Sequence, residues 1–504
     1  MTTKTKSPIS EDAIQGVQHF DVLIVGAGIS GLGAAYELKQ SCPSKSFAML
    51  DGMESFGGTW LWHKYPGIRS DSDLFTFGYK FKPWLGAPIA SRDEILKYLG
   101  EVVSENDLDK HIHFNHRVTT ASWSSQKNLW TLQVQNGDKK VEFTCNFLWM
   151  CQGYYRHAEG YTPEWPGADT FEGDIIHPQT WPEDTQYKDK RIIVIGSGAT
   201  AATIVPALAG DCEHITLLQR SPTYFSPGIN RNKFADTLRD LDVDPVTTHD
   251  LVRRKITRDQ NRFLRRALDH PDQMRKELQA GVEAYLSPEQ VKEHFTPDYR
   301  PWQQRIAVVP DGDLFKAIRD GDASIVTDHI DRFTKTGILL KSGKELEADI
   351  IITATGFNLC VMGDIDFDVD GQAVDSSETI NYRGAMFTGI PNMSWIMGYL
   401  RSASWTLKVD LMAAFISRLL NHMDDRGLET VRVALRPEDA GMELEPWLTE
   451  DVFNPGYLKR AGHLLPKGGD KEEWRSSQDY WIERDVLPLI DFDDPIFVFT
   501  EKPG

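Results

Sequence analysis

Three features of the sequence predict an α/β fold with two Rossmann-like dinucleotide-binding domains and a helical insertion. Gly26-Ala27-Gly28-Ile29-Ser30-Gly31 and Gly196-Ser197-Gly198-Ala199-Thr200-Ala201 are glycine-rich turns, each directly after an apolar run. Between about Tyr224 and Phe295 the chain is charged, glycine-poor and rich in helix formers. At 504 residues it is too long for one compact core, so two or three structural units are expected.

Residues 1–18 are polar, lack an apolar signal core and read as a disordered leader. Phe20 to Val25 is nearly all apolar, as a parallel strand buried on both faces requires. In the turn that follows, Gly26 permits the sharp bend and Gly28 lets the backbone approach a pyrophosphate. Gly31 lets helix and strand pack, and the helix N-terminus that includes Ser30 faces the negative charge. Ser46 to Leu50 is the second strand; Asp51 ends it about 20 residues past the last glycine, where an acid binds ribose hydroxyls.

Residues 57–71 carry paired glycines, Trp60, Trp62 and a Pro66-Gly67 pair, which predict an ordered loop. Asp71 reads either as a helix cap or as a site carboxylate. His113 to Val118 and Trp130 to Val134 suggest an antiparallel pair, and Phe147 to Gly153 a strand returning to the first sheet. Tyr161 to Gly167 is rich in turn formers and marks a domain crossing. Lys190 to Ile195 opens the second unit. Its turn ends in Ala201, a permitted variant, and Gly196, Ser197, Gly198, Ala199, Thr200, Ala201 and Ala202 are its candidate dinucleotide contacts. Ile215 to Gln219 is followed by Arg220 and Ser221 where an NAD-specific protein often places an acid. A guanidinium there matches the 2′-phosphate of NADPH. Ala348 to Phe357 reads as a buried strand that ends in Ala354-Thr355-Gly356.

Phe171-x-Gly173-x-x-x-His177-x-x-x-Trp181-Pro182 and Gly57-Gly58-x-Trp60-x-x-x-x-Tyr65-Pro66-Gly67-x-x-x-Asp71 match the two long signatures of the type I Baeyer–Villiger monooxygenases. The chain resembles that family over roughly residues 20–490, most closely the branch containing the ethionamide-activating monooxygenase. The resemblance implies FAD at the first turn and NADPH at the second. FAD would then be held by Gly26, Gly28, Ser30, Gly31 and Asp51, by Thr59 and Trp60, and by the backbone of Val118, with Leu61, Trp62, Arg69, Ser70 and Asp71 as further cofactor-binding residues. It further implies Arg305 as the catalytic arginine, Asp71 as the carboxylate that holds it, and His177 as a linker residue serving domain movement. Gln304 stands where many relatives carry an NADP-binding lysine, which shifts that contact toward Arg220. Gly389 to Met393 and Ala403 to Lys408 resemble segments near the flavin. The implied units are FAD-binding (19–155 and 355–504), NADPH-binding (156–222 and 305–354) and a helical insertion (223–304). The implied reaction inserts one oxygen atom of O2 beside a ketone carbonyl, through a C4a-peroxyflavin, to give an ester or lactone, with sulfoxidation of thioethers as a side activity. Rival readings are an N- or S-hydroxylating flavin monooxygenase, an uncoupled NADPH oxidase or flavin reductase, and a non-catalytic redox sensor.

The net charge of −19 argues against a nucleic-acid partner. The five cysteines are scattered and without metal-ligand spacing, which fits a reducing cytoplasm and no metal site. No apolar run approaches a membrane span. Val409 to Leu420, broken by Asp410 and Arg418, reads as an amphipathic core or subunit-contact helix, and is the one segment suited to weak peripheral contact with a membrane. The partners expected are a small ketone or thioether and O2, acting on a monomer or weak homo-oligomer.

Overall fold

The computed structural model describes residues 17–401 and 403–501. The expected leader lies outside the described residues up to position 16, and a strand begins at Gln18. This strand, β1 (Gln18–Val25), anchors the larger sheet. Val22 and Ile24 enter a cluster with Leu32 and Leu38 of helix α1 (Ile29–Ser41) and with Met412 and Ile416 of the long helix Trp405–Asp425. Leu23 and Val25 join Trp130, Leu132 and Trp395 on the opposite face. Both faces are covered, which accounts for an uninterrupted apolar run.

β1 pairs in parallel with β2 (Phe47–Leu50) on one side and β6 (Lys139–Met150) on the other. β2 carries the edge strand β3 (Ile112–His113), and β6 continues through antiparallel β5 (Leu129–Asn136) to β4 (Arg117–Ser124). The sequence reading of His113–Val118 as one strand is therefore corrected. Asn115, with φ of 58°, turns the chain between β3 and β4, and asparagine is one of the few residues that accept that conformation. Asp366–Val369 extends the sheet beyond β4.

The second sheet is wholly parallel. Its order is Ala323–Thr327, β10 (His214–Gln219), β9 (Arg191–Ile195), Ile350–Thr353 and β8 (Asp174–Ile176). The chain leaves the first sheet along β7 (Tyr155–Gly160) and returns along Phe357–Leu359, antiparallel to it.

The insertion holds the helices Lys233–Asp240, Pro245–Asp269, Pro271–Glu283 and Pro288–His294. It is entered through Phe225–Gly228 and left through Ala307–Pro310, two parallel strands that form its stalk. The helix Trp405–Asp425 contains the segment read as amphipathic, and its charged interruptions turn inward. Arg418 donates to the carbonyls of Leu487 and Ile490, and Asp410 accepts from Arg253 of the insertion at 2.6 Å. It is a core helix, and its charges are not free to face a membrane surface. Among the described residues no helix is long and apolar enough to cross a membrane.

Arg253 is buried, and besides Asp410 it donates to the carbonyls of Phe75, Thr76 and Gly78 at the end of the short helix α3 (Leu74–Phe77). Arg253→Ala strips the cation from a partly buried carboxylate and the donor from three carbonyls. It is expected to lower stability by about 3–5 kcal/mol, read by denaturant unfolding.

Candidate active site

The first glycine turn is built by contacts that exclude a Cβ. At Gly26 (φ +105°) one would lie 2.6 Å from the Cys151 carbonyl oxygen, and at Gly31 1.8 Å from that of Gly26. Helix α1 therefore starts hard against β1. Its first turn carries no acid, so its free N–H groups face an opening with a favourable dipole. Gly28 faces Gly58 (φ +54°), whose Cβ would come 3.1 Å from the Gly28 Cα, so two bare backbones border a narrow slot. Asp51 is buried and accepts from the N–H groups of Ala27 at 2.6 Å and Met53 at 2.8 Å. Burial pushes its carboxyl up, against the pull of those two bonds. Ser30 Oγ is fixed by Trp405 Nε1 at 2.7 Å.

A cavity of about 660 Å³ runs from this turn toward the second one. Gly26, Gly28, Ser30, Asp51, Thr59, Trp60, Trp62, Arg69, Ser70, Asp71, Val118 and Arg305 all line it, with Ala199 and Thr200 of the second turn. Thr59 to Trp62 form the short helix α2, which brings Trp62 onto His157 with ring centroids 5.3 Å apart. Leu61 is not a lining residue; it packs beside Gly57.

Asp71 is held by a segment stitched to both units. Tyr65 packs into the second unit's core, Arg69 forks onto Asp313 at 2.5 and 3.2 Å, and the N–H of Ser70 donates to the Ala90 carbonyl at 2.8 Å. The helix-cap role belongs to Asp73, which accepts from the Phe75 N–H at 2.9 Å. Asp71 is left for Arg305: Nε lies 2.7 Å from Oδ2 and Nη2 3.0 Å from Oδ1, and Nη2 also donates to Ser72 Oγ at 3.0 Å. Arg305 follows a turn in which Trp302 has φ of 66°, a strained value for a bulky residue. Its side chain is 39% accessible because it faces the cavity, while protein encloses it on the other sides. Burial opposes its charge, yet Asp71 and the nearby phenols of Tyr154 and Tyr457 hold its pKa above the ordinary arginine value.

At the second turn, a Cβ on Gly196 (φ +135°) would lie 2.3 Å from the Ala354 carbonyl oxygen. Ser197 Oγ meets Thr223 Oγ1 at 2.8 Å. Gly198 caps the helix Ala199–Leu208 and faces open space, with Ala201 and Ala202 buried beneath. Gly196, Ser197, Gly198, Ala201 and Ala202 surround the turn without lining the cavity. Arg220 and Ser221 are exposed just past β10, and among the described residues no carboxylate pairs with Arg220.

His177 joins the two crossings. Its Nε2 donates to the Gly356 carbonyl at 3.0 Å, and its Nδ1 accepts from the Gln179 N–H at 3.1 Å. Burial lowers its pKa despite the backbone bonds, consistent with the neutral tautomer these bonds demand. The rest of the motif serves the same joint. Phe171 packs on Phe333, and a Cβ on Gly173 would meet the Asp349 carbonyl oxygen at 2.3 Å. Gln179 donates to the carbonyls of Arg156 and His157 on β7.

Gln152, Tyr154, Tyr155 and Phe357 are among the lining residues that carry no motif in the sequence. The available signal was position, since the first three follow the C-terminal end of β6, the edge where open α/β sheets bind ligands. Both polar atoms of the Gln152 carboxamide are buried without a protein partner. Trp395 lies in the core against Phe387 and Trp447, because β6 takes Met393–Trp395 as a neighbouring strand. The segment Gly389 to Met393 likewise supplies core, with Ile390 and Met393 buried in the same cluster.

Gly160 has the His177 ring against it, and a Cβ there would lie 2.0 Å from Cε1. Gly160→Ala is expected to displace the ring, break its bond to Gly356 and cost about 1–3 kcal/mol in denaturant unfolding.

Residues 88–362 match the family of flavin-binding monooxygenase-like proteins, and residues 24–82 match an NAD(P)-binding Rossmann-like domain. The chain is 46% identical to the FAD-containing monooxygenase EthA of Mycobacterium tuberculosis over 491 residues, 97% of this chain and 99% of that protein. It is 43% identical to the probable FAD-binding monooxygenase AlmA of Acinetobacter baylyi, over 96% of this chain and 97% of that one. An oxidized steroid monooxygenase bound to NADP has the same fold, with a TM-score of 0.78 at 21% identity, covering 96% of this chain and all of that one. With two dinucleotide turns sharing one cavity and this likeness along nearly its whole length, the chain belongs to the flavin-binding monooxygenase-like family and is a flavin-dependent monooxygenase.

Proposed function

We propose that the protein is an FAD- and NADPH-dependent Baeyer–Villiger monooxygenase that inserts one oxygen atom of O2 beside a ketone carbonyl to give an ester or lactone, with sulfoxidation of thioethers as a side activity. The observation that carries this reading is the Arg305–Asp71 pair, bonded through two nitrogens and open to the cavity that both turns reach. In this reading residues 19–155 and 355–504 form the FAD unit, residues 156–222 and 305–354 form the NADPH unit, and 223–304 are the insertion.

The residues present fit both cofactors. The bare backbones of Gly28 and Gly58 let a pyrophosphate approach the free N–H groups at the start of α1, and the unpaired Gln152 carboxamide offers a donor and an acceptor in the same cavity. Arg220, exposed past β10 and with no carboxylate partner among the described residues, suits the 2′-phosphate of NADPH. When bound, FAD reduced by NADPH supplies the activation of O2.

What remains is the work of the chain. Arg305 stays protonated and presents a permanent cation to oxygen carrying negative charge, both on the oxidant side and at the carbonyl oxygen as it takes on charge. Asp71 and Ser72 fix the guanidinium plane, so its orientation costs little at the moment of reaction. Trp60, Tyr154, Tyr155, Phe357 and Trp405 form aromatic walls that limit water near these charges. Oxygen transfer to a thioether develops no carbonyl oxyanion, so a fixed cation at this position favours the ketone reaction.

The test is a paired assay of product and NADPH consumption with a linear ketone, an aryl-alkyl ketone and a thioether. Ester formed in step with NADPH supports the reading; sulfoxide without ester, or hydrogen peroxide alone, defeats it. Arg305→Ala is expected to leave flavin reduction intact in stopped flow and to abolish ester formation. Arg220→Ala is expected to raise KM for NADPH about tenfold through loss of a charge-assisted contact, with KM for NADH unchanged.

A further inference from the structure

Tyr154 lines the same cavity as the ion pair and is held on several sides. Its ring lies between Trp405, at 5.1 Å and 13° between planes, and Tyr155, at 4.6 Å and 26°. Phe357 meets it edge-on at 5.2 Å, and Tyr457 stands at 6.0 Å. Trp405 is itself locked, by its bond to Ser30 Oγ and by its indole covering Gly398, where a Cβ would come within 2.2 Å. The phenol cannot swing away without unstacking both neighbours. Tyr154 and Arg305 both line the cavity, close enough for the guanidinium charge to act on the phenol.

A phenol so placed has one chemical use that the cation does not cover. Arg305 already directs two of its nitrogens at Asp71 and Ser72, so one cation must serve both the oxidant side and the carbonyl side of the reaction. A neutral O–H donor aimed at the carbonyl oxygen would divide that work. Burial keeps Tyr154 protonated far above neutral pH, and the phenols of Tyr155 and Tyr457 flank it. Tyr457 does not line the cavity; Tyr155 does, but only Tyr154 is stacked on both sides, between Trp405 and Tyr155, which makes Tyr154 the better-fixed donor.

We infer that the Tyr154 hydroxyl donates a hydrogen bond to the carbonyl oxygen of the ketone, holding it beside Arg305 and stabilising the charge it acquires. This rests on the Baeyer–Villiger reading above and adds to it a specific determinant of the ketone reaction. The proton remains on the phenol oxygen throughout, so the residue serves as an oxyanion donor and not as an acid.

The experiment is Tyr154→Phe in the FAD-loaded, full-length protein, with ester and sulfoxide measured side by side from an aryl-alkyl ketone and a matched aryl-alkyl thioether. Phenylalanine keeps the stack and removes only the hydroxyl. The expected result is a fall in ester kcat of about 10²-fold, the usual loss for one oxyanion donor, with sulfoxide formation and the flavin absorption spectrum unchanged. Equal losses for both substrates would mark the hydroxyl as structural and overturn the inference, and so would an unchanged ester rate. Ester absent from the wild-type enzyme would overturn the reading beneath it as well, whereas wild-type ester with an unaffected variant would remove Tyr154 alone.

Discussion

The constraint on which the rest depends is that one chain must leave the first sheet, build a second one and come home at a fixed place. It does so through one antiparallel pair, β7 against Phe357–Leu359, and His177 closes that joint by spanning Gly160 and Gly356. Both of the histidine's ring nitrogens are occupied by backbone, so it has none free for proton transfer. Because the joint emerges beside the C-terminal ends of β1 and β6, the aromatic residues that follow β6 and Gly356 face the same cavity as the glycine turn. A monooxygenase needs two dinucleotide sites that converge, and this crossing makes them converge.

The ion pair is a second joint. Asp71 precedes α3, while Arg305 follows the insertion and stands just before the strand that closes its stalk. Arg253 ties the insertion to the carbonyls at the end of α3 and to the long core helix, so the two partners are held from both sides by one set of bonds. Such buried charges add little net stability over apolar packing. Their value is registry: only one placement of the insertion satisfies the three carbonyls and Asp410 together.

Much of this was legible in the residues. Glycine turns announce themselves because only glycine tolerates the approach of Cys151 and Ala354 carbonyl oxygens, and strands buried on both faces show as unbroken apolar runs. Other features were not legible, for physical reasons. A cap and a site carboxylate two residues apart, Asp73 and Asp71, differ only in which backbone N–H lies in reach. Asn115 breaks an apparent strand by one left-handed residue. Arg305 is one arginine among many until the fold brings Asp71 to it, and it was marked only by family likeness. Tyr154 and Tyr155 belong to no periodic pattern, because a side chain that faces a cavity obeys neither the helix nor the strand repeat.

Asp51 carries a consequence for how the nucleotide site is assembled. Its carboxylate is engaged by the N–H groups of Ala27 and Met53, and those bonds fasten the glycine turn to the end of β2. The turn thus keeps its shape through bonds within the chain, and a ribose bound as we propose would need only the lone pairs those bonds leave over. Little chain entropy is then lost on association, which raises affinity without any added contact.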